Sequence, residues 1–166
     1  MARAEERRST QGMTDIETFR RKVSSGVKGT HHAYVTLLGL EPSDTAHLMR
    51  QVEKGLPFRV VERLRRNMAL TSEEFAELIQ VRPRTLSRRK EEGRLQPDES
   101  DRALRASRLF GSVLELFEGD VAAARAWLSS AQPALGGAVP LSVAKTELGA
   151  REVEHLIGRL EHGVFS

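Results

Sequence analysis

A cationic segment near the middle of the chain contains the side chains best suited to binding a polyanion. Between Gln80 and Gly93, guanidinium, ammonium and hydroxyl groups follow one another at close spacing. Such groups donate hydrogen bonds to phosphate oxygens and base edges, so a rigid helix that carries them can dock on DNA. The candidate DNA-binding residues are Arg82, Arg84, Thr85, Ser87, Arg88, Arg89 and Lys90. Many basic helices on protein surfaces face only solvent. The residues on either side of this segment must therefore indicate whether it binds DNA.

The stretch from Leu70 to Ile79 predicts a short helix that leads into this segment. Thr71 is a good N-cap, and Glu74 stands three residues later to complete a capping box. Apolar residues then recur at the spacing of one helix face. The predicted buried stripe consists of Phe75, Leu78 and Ile79.

A tight corner and a second helix follow. Residues 80–82 are predicted to form the corner. Pro83 suits the first turn of the second helix, where its missing N–H costs nothing. Val81 and Leu86 are the apolar residues predicted to hold the second helix against the first. The pattern therefore predicts a helix-turn-helix whose second helix presents cations to a partner.

Length, composition and charge limit the class of protein. The chain has 166 residues, 39% hydrophobic and 30% charged, which suits a globular protein with one sizeable core or two small ones. No cysteine is present, and no apolar run approaches the roughly 20 residues that span a bilayer. We therefore expect a cytoplasmic protein without a signal peptide. The net charge is +2 for residues 1–58, +4 for 59–96 and −3 for 97–166, which suggests two different partners.

Most of the remaining chain predicts helices. Ser43 or Asp44 caps a helix that ends at Gly55, and Leu56-Pro57 opens the next. The longest helix is predicted from Pro97 to about Glu118, with an apolar stripe wide enough to bridge two halves of the protein or to form a dimer seam. Further predicted elements are a helix at 121–129, capped by Asp120, and helices at 141–147 and 150–160. The apolar stripe of the last helix comprises Val153, Leu156, Ile157 and Leu160.

The N-terminal region gives weaker signals. We expect residues 1–30 to form a flexible arm, disordered over 1–12 and with a weak, loosely docked helix near 14–22. Residues 33–40 are an apolar run that fits a helix or a strand equally. The adjacent His31 and His32 point in different directions and lack a third ligand nearby, so no metal site or cofactor is predicted.

The order of residue types from Thr71 to Arg88 resembles the helix-turn-helix of the Xre, or lambda-repressor-like, family. Two positions depart from that family's pattern. Gln80 stands where a glycine is usual, and Arg89 stands where an aromatic residue is frequent. The resemblance implies operator DNA as a partner.

The C-terminal region resembles the toxin-binding domain of the Xre/MbcA/ParS antitoxins. The residues that carry this resemblance include Ala126-Trp127-Leu128, Leu135-Gly136-Gly137, Pro140-Leu141, Gly149-Ala150 and His162-Gly163. The resemblance covers roughly residues 35–166. It implies the antitoxin of a type II toxin–antitoxin pair whose RES-domain toxin consumes NAD or uses it for ADP-ribosylation. The candidate toxin-binding residues, from this resemblance and from the apolar and rim side chains of the C-terminal segment, are Trp127, Leu128, Leu135, Gly136, Arg151, Glu154, Arg159, His162, Val164, Phe165 and Ser166.

Together these inferences predict an all-α protein with an Xre-like helix-turn-helix core and a small helical toxin-binding domain. We expect an arm at 1–30, a DNA-binding region at 31–96, a bridging or dimerisation helix with its connection at 97–125, and a toxin-binding region at 126–166. The chain would occlude the toxin's active site and repress its own operon, as a homodimer within a hetero-oligomeric complex.

Three other functions remain open at this stage. The chain could be a stand-alone repressor whose C-terminal half dimerises or senses a metabolite, or a protein-binding adaptor whose basic helix is vestigial. Trp127 and the apolar stripe of the last helix could instead be buried in the protein's own core and make no contact with a toxin. An enzyme is the least favoured class, because no nucleophile, base and orienting group are suggested by spacing.

Overall fold

Helices are the regular elements of the described chain, as predicted. The structure is a computed structural model that describes residues 15–25 and 30–163. The elements are α1 (residues 15–24), a 3₁₀ segment (Thr30–Leu38), α2 (Thr45–Lys54), α3 (Phe58–Asn67), α4 (Ser72–Leu78), α5 (Pro83–Glu92), α6 (Pro97–Leu116), α7 (Val121–Leu128), a 3₁₀ turn (Pro133–Leu135), α8 (Pro140–Val143) and α9 (Glu147–Glu161).

The long helix α6 is the centre of the fold. It packs against the 3₁₀ segment, α2, α7 and α9, so its wide apolar stripe joins the two halves of the protein. Ala103, Leu109, Phe110 and Val113 on this helix are almost fully buried. The helix ends at Leu116, about two residues earlier than predicted, because the backbone then turns left-handed.

Side chains close the ends of several helices at the predicted positions. Asp44 accepts a hydrogen bond from the His47 amide at 2.8 Å, and Asp120 accepts one from the Ala123 amide at 3.0 Å. These caps satisfy amides that have no partner within the helix, and each stabilises its helix by about 1 kcal/mol. Gly55 ends α2, as the sequence indicated.

The expectation of a loosely docked N-terminal helix was wrong for residues 15–24. Ile16 and Phe19 of α1 lie in the hydrophobic core. Asp15 is buried, accepts hydrogen bonds from the guanidinium of Arg63, and accepts one from the Asn67 side chain at 3.0 Å. A buried carboxylate needs such partners, so this cluster ties α1 to α3. The expected disorder of residues 1–12 lies outside the described residues.

One segment left open by the sequence is helical, and the bounds of two other helices differ from their predictions. The apolar run at 33–40 falls mostly in the 3₁₀ segment Thr30–Leu38, where Val35, Leu37 and Leu38 are buried. The helix expected at 141–147 covers only Pro140–Val143, and the last helix starts earlier than expected, at Glu147. Thr146 causes this division, since its hydroxyl accepts a hydrogen bond from the Gly149 amide at 3.0 Å and caps α9.

Candidate nucleic-acid interface and partner-binding surface

The first helix of the motif, α4, begins with the predicted capping box. The Glu74 amide donates to the Thr71 hydroxyl at 3.1 Å, and the Thr71 amide donates to the Glu74 carboxylate at 2.7 Å. Phe75 and Leu78 face the core, and Ile79 follows them as a fully buried residue. The local sequence is therefore sufficient to start this helix and to orient its apolar face.

The corner between α4 and α5 has a left-handed residue at Gln80, with φ +54°. Glycine adopts that conformation more easily than glutamine does, which accounts for the usual glycine at this position in the family that the sequence resembles. The Gln80 side chain donates a hydrogen bond to the Glu77 carbonyl at 3.0 Å, and the Val81 amide donates to the Ala76 carbonyl at 2.8 Å. The corner is therefore closed despite the missing glycine.

The second helix, α5, is held against the rest of the domain at both ends. Pro83 occupies its first turn, and Val81 and Leu86 are buried as predicted. After the helix, the Gly93 carbonyl accepts a hydrogen bond from the Phe58 amide at 2.9 Å. These contacts fix the direction of α5 relative to α3 and α4.

One face of α5 presents cations and hydroxyls to solvent. Thr85 is half-buried, and the Ser87 hydroxyl donates to the Pro83 carbonyl at 3.2 Å. Arg88 makes a long contact with Glu92 at 3.7 Å. The exposed members of the predicted DNA-binding set are Arg82, Arg84, Ser87, Arg88 and Lys90. Within residues 15–25 and 30–163, Arg82, Arg84 and Lys90 form no ion pair, so their charges are available to a polyanion.

Arg89 has to be removed from the predicted DNA-binding residues. It is 8% exposed, and its Nε donates to the Glu99 carboxylate of α6 at 2.8 Å while its Nη2 donates to the same carboxylate at 2.9 Å. Its Nη1 also donates to Glu92 at 2.8 Å. A planar guanidinium engaged on two sides in this way is a structural link and not a contact for DNA.

The electrostatics of this link agree with its geometry. Burial on its own raises the pKa of Glu99, but the hydrogen bonds from Arg89 and from the Gln96 amide outweigh it, and the pKa lies below its ordinary value. The hydrogen bonds to Glu99 and Glu92 raise the pKa of Arg89. Both groups are therefore charged at neutral pH, and each stabilises the other's charged form.

A second arginine, Arg102 of α6, fixes the first helix of the motif. Arg102 Nε donates to the Ile79 carbonyl at 2.6 Å, just beyond the end of α4, and its Nη2 pairs with Asp98 at 3.1 Å. A cation at this position satisfies a free carbonyl and complements the helix dipole. Helix α6 thus holds α5 through Glu99 and α4 through Arg102.

The C-terminal unit, α7–α9, packs against the other face of α6. Ala150, Val153 and Ile157 of α9 are buried in the common core. Ion pairs at the boundary of the unit join Arg105 to Glu147 at 3.0 Å, Arg108 to Glu154 at 2.8 Å, and Lys145 to Glu77 of α4. Arg151 and then Arg105 lower the pKa of Glu147 through hydrogen bonds to its carboxylate. The C-terminal unit is therefore attached to the helix-turn-helix by a core and by charge pairs.

The predicted toxin-binding residues do not form one continuous surface. The prediction that Leu128 contacts a toxin was wrong, because this residue is only 2% exposed and lies in the core. Trp127 is half-buried with its ring centroid 6.4 Å from that of Phe117, and Leu135 is half-buried against the core. The exposed members in the described part of the chain are Gly136, Arg151 and His162.

The remaining members of that set fall into two groups. Glu154 and Arg159 are half-buried, and Glu154 is engaged by Arg108. The last three, Val164, Phe165 and Ser166, lie outside the described residues.

Sequence reasoning missed Leu148, which is 81% exposed on the first turn of α9. A sequence signal existed, because Leu148 lies five residues before Val153 and therefore about 140° from it around the helix. An apolar residue so far from the buried stripe predicts exposure.

The histidine and acidic side chains of the described residues form no metal site. No group of three or more histidine or acidic side chains in residues 15–25 and 30–163 is arranged to hold a metal ion. The ring of His32 instead bonds to the Tyr34 hydroxyl at 3.1 Å and the Thr45 hydroxyl at 2.9 Å. No helix in this part of the chain is long and apolar enough to cross a membrane.

The fold and the exposed face of α5 define a helix-turn-helix protein with an attached helical C-terminal unit. Residues 47–108 match the family model of the antitoxin Xre-like helix-turn-helix domain, and residues 112–163 match that of the antitoxin Xre/MbcA/ParS C-terminal toxin-binding domain. The two matches meet within α6.

Similar proteins agree with these matches. The chain is 36% identical over 130 residues to the protein "Antitoxin Xre" of Yersinia enterocolitica serotype O:8 / biotype 1B. It is 32% identical over 130 residues to "Antitoxin Xre" of Photorhabdus laumondii subsp. laumondii. Each comparison covers 78% of this chain and 88% of the relative. The chain therefore belongs to the Xre antitoxin family, and it is an antitoxin of a toxin–antitoxin system.

Proposed function

We propose that this chain neutralises a RES-domain toxin that consumes NAD or transfers ADP-ribose from it, and that it also represses its own operon. Neutralisation would work by steric exclusion, with the C-terminal unit covering the toxin's NAD site. Repression would use α5 in the major groove of operator DNA. A homodimer would place two copies of α5 on half-sites about 34 Å apart, one turn of the duplex.

The DNA-binding part of the proposal rests on one observation: one cation of α5 is used in an internal ion pair, whereas the others are exposed. Arg89 is used internally, while Arg82, Arg84, Arg88 and Lys90 remain on the exposed face. The helix that carries them is held in place by the bond between Arg89 and Glu99 of α6. Its backbone therefore loses little conformational entropy when it binds DNA. This arrangement supports contacts to phosphates and base edges by the exposed members alone.

Duplex binding over a series of salt concentrations tests this half of the proposal. For the wild-type chain on a duplex from upstream of its gene, the logarithm of the affinity should fall linearly with the logarithm of the salt concentration. Replacing Arg84 and Arg88 together by alanine should reduce the slope by about 2 for each bound protomer, and so by about 4 for the homodimer, since each lost phosphate contact removes about one counterion. The matched control replaces Arg20 and Arg21, two exposed arginines of α1.

The control is informative because α1 lies far from α5. Phe19 of α1 packs near Gly111 of α6, whereas α5 bonds to Glu99, twelve residues earlier on that helix and about 18 Å away. The control variant should keep the wild-type slope. An unchanged slope in the α5 variant, or an equal loss in the control, would count against α5 as the DNA-binding element.

The toxin-binding half is supported by the match of residues 112–163 and by the exposed surface of α9. The test is NAD consumption by the RES-domain product of the neighbouring gene, titrated with the purified chain. The expected result is complete inhibition near stoichiometric addition, together with a stable complex by light scattering. Undiminished NAD consumption by the toxin within that complex would contradict occlusion of the active site.

A further inference from the structure

Leu148 is an exposed leucine that the fold does not use. It is 81% exposed, and it neither belongs to the hydrophobic core nor packs against it. Met49 on α2 is the other large apolar side chain exposed in the described part of the chain, at 58%. An apolar side chain held in water stabilises nothing in the free protein, but it can stabilise a complex that covers it.

The corner that carries Leu148 is rigid. Gly149 allows α9 to approach α8 closely, because a Cβ atom there would lie 1.8 Å from the Val143 carbonyl oxygen. Thr146 caps the helix one residue before Glu147, which is held by Arg105 at 3.0 Å. The side chain of Leu148 is therefore presented from a fixed backbone, which reduces the entropy lost on binding.

Charged groups surround this position on the same side of α9. Arg151 lies three residues later, so it shares a helix face with Leu148, and its side chain is 66% exposed. It pairs with Glu147 at 3.0 Å in the free protein, but both side chains are more than half exposed, so the pair contributes little to stability. Glu152 lies four residues after Leu148 and is also exposed, so charges of both signs flank the leucine. An exposed apolar residue in this setting fits a partner pocket that is apolar and has charged groups at its edge, among them a carboxylate for Arg151.

The other apolar candidates of the C-terminal unit are largely occupied within the protein. Leu128 is buried and Trp127 packs on Phe117. Leu148, by contrast, lies within residues 112–163, the part that matches a toxin-binding domain, while Met49 lies outside it. We propose that the α8–α9 corner centred on Leu148 is a docking surface for the toxin, with Leu148 inserted in an apolar pocket and Arg151 at its rim. This inference rests on the toxin-binding half of the proposed function.

Affinity measurements with matched variants test the proposal. The probe is the purified product of the neighbouring gene, titrated calorimetrically with the wild-type chain and with Leu148→Ala, Leu148→Asp, Met49→Ala and Met49→Asp. Leu148→Ala should weaken binding about 10- to 100-fold, the loss expected when a leucine side chain no longer fills a pocket. Leu148→Asp should weaken it further, since it would bury an unpaired charge. Both Met49 variants should bind within about twofold of the wild type, because a surface residue outside the interface has little effect.

The outcomes separate this inference from the function on which it rests. All four variants should keep the wild-type melting temperature and duplex affinity, because neither residue packs in the core. Wild-type affinity in both Leu148 variants would overturn the docking surface while leaving toxin binding in place. An equal loss in the Met49 variants would also overturn it. A wild-type chain that does not bind the toxin would overturn the proposed function and this inference together.

Discussion

Replacing Glu99 by glutamine tests whether α5 is held in place by its internal ion pair. In the native protein the Glu99 carboxylate accepts three hydrogen bonds from Arg89, at 2.8 to 3.1 Å, and one from the Gln96 amide at 2.8 Å. Glutamine has nearly the same shape, but it carries no charge and turns an amide N–H₂ towards a group that can only donate. The substitution therefore removes the charge pair without leaving a large cavity.

The expected cost follows from burial. The side chains of Arg89 and Glu99 are 10% and 7% exposed, so the charge of Arg89 would be left in a poorly solvated place. Breaking a buried pair in this way costs about 3 to 5 kcal/mol. Because Glu92 still pairs with Arg89 at 2.8 Å and is 46% exposed, we expect the lower end, about 3 kcal/mol. For a chain of this length that corresponds to a fall in melting temperature of about 6 to 12 °C.

Urea denaturation followed by circular dichroism measures this change, and a second variant checks the interpretation. Replacing Arg89 by methionine and Glu99 by leucine together should restore much of the stability, since an apolar pair of similar volume has no charge to desolvate. The remaining loss should be about 1 kcal/mol, because leucine cannot accept the hydrogen bond from the Gln96 amide that caps α6. This double variant should also bind the duplex from upstream of the gene within about threefold of the wild type. A Glu99→Gln variant destabilised by less than about 1 kcal/mol would refute the buried pair. A stable double variant that no longer binds DNA would show that Arg89 contacts the duplex after all.

Three further predictions concern the corner, the N-terminal helix and the response to acid. Gln80→Gly should raise the free energy of unfolding in urea by about 0.5 kcal/mol, because glycine adopts the left-handed conformation at this position without strain. A lower free energy of unfolding would contradict strain at Gln80. Asp15→Asn should destabilise it by about 2 kcal/mol, through the weakened bonds to Arg63; an unchanged urea midpoint would mean that α1 contributes nothing. The folded-state pKa of Glu99 is below its ordinary 4.5, so its contribution is complete above that pH and is lost as the pH falls through the lower folded value. The stability difference between the wild type and Glu99→Gln should therefore shrink below pH 4.5, and a constant difference from pH 6 to 3 would contradict this sign.

Local sequence was sufficient for the helix-turn-helix. The capping box of Thr71 and Glu74 joins residues three apart, and the stripe from Phe75 to Ile79 lies on one helix face, so neither depends on distant parts of the chain. The same holds for the caps at Asp44 and Asp120. Elements defined by neighbours within one turn are those that periodicity and capping rules describe.

Features that depend on distant packing were missed. Arg89 lies among cations in the sequence, and only the packing of α6 against α5 brings Glu99 to it. Asp15 is bonded to residues 48 and 52 positions away, so no local pattern could indicate that α1 is docked. Leu128 was expected at a partner surface, and its burial follows from how α7 meets the core.

The central claim is that one chain binds DNA and a toxin through separate surfaces. It is tested most directly by measuring duplex binding and inhibition of the neighbouring gene product, whose proposed activity is NAD consumption, on the same preparations of two variants. The variant with Arg84 and Arg88 replaced by alanine should lose at least about tenfold in duplex affinity and inhibit the toxin as the wild type does. The Leu148→Asp variant should keep the wild-type duplex affinity and lose inhibition of the toxin. If either folded variant loses both activities together, the claim of two separate surfaces is contradicted.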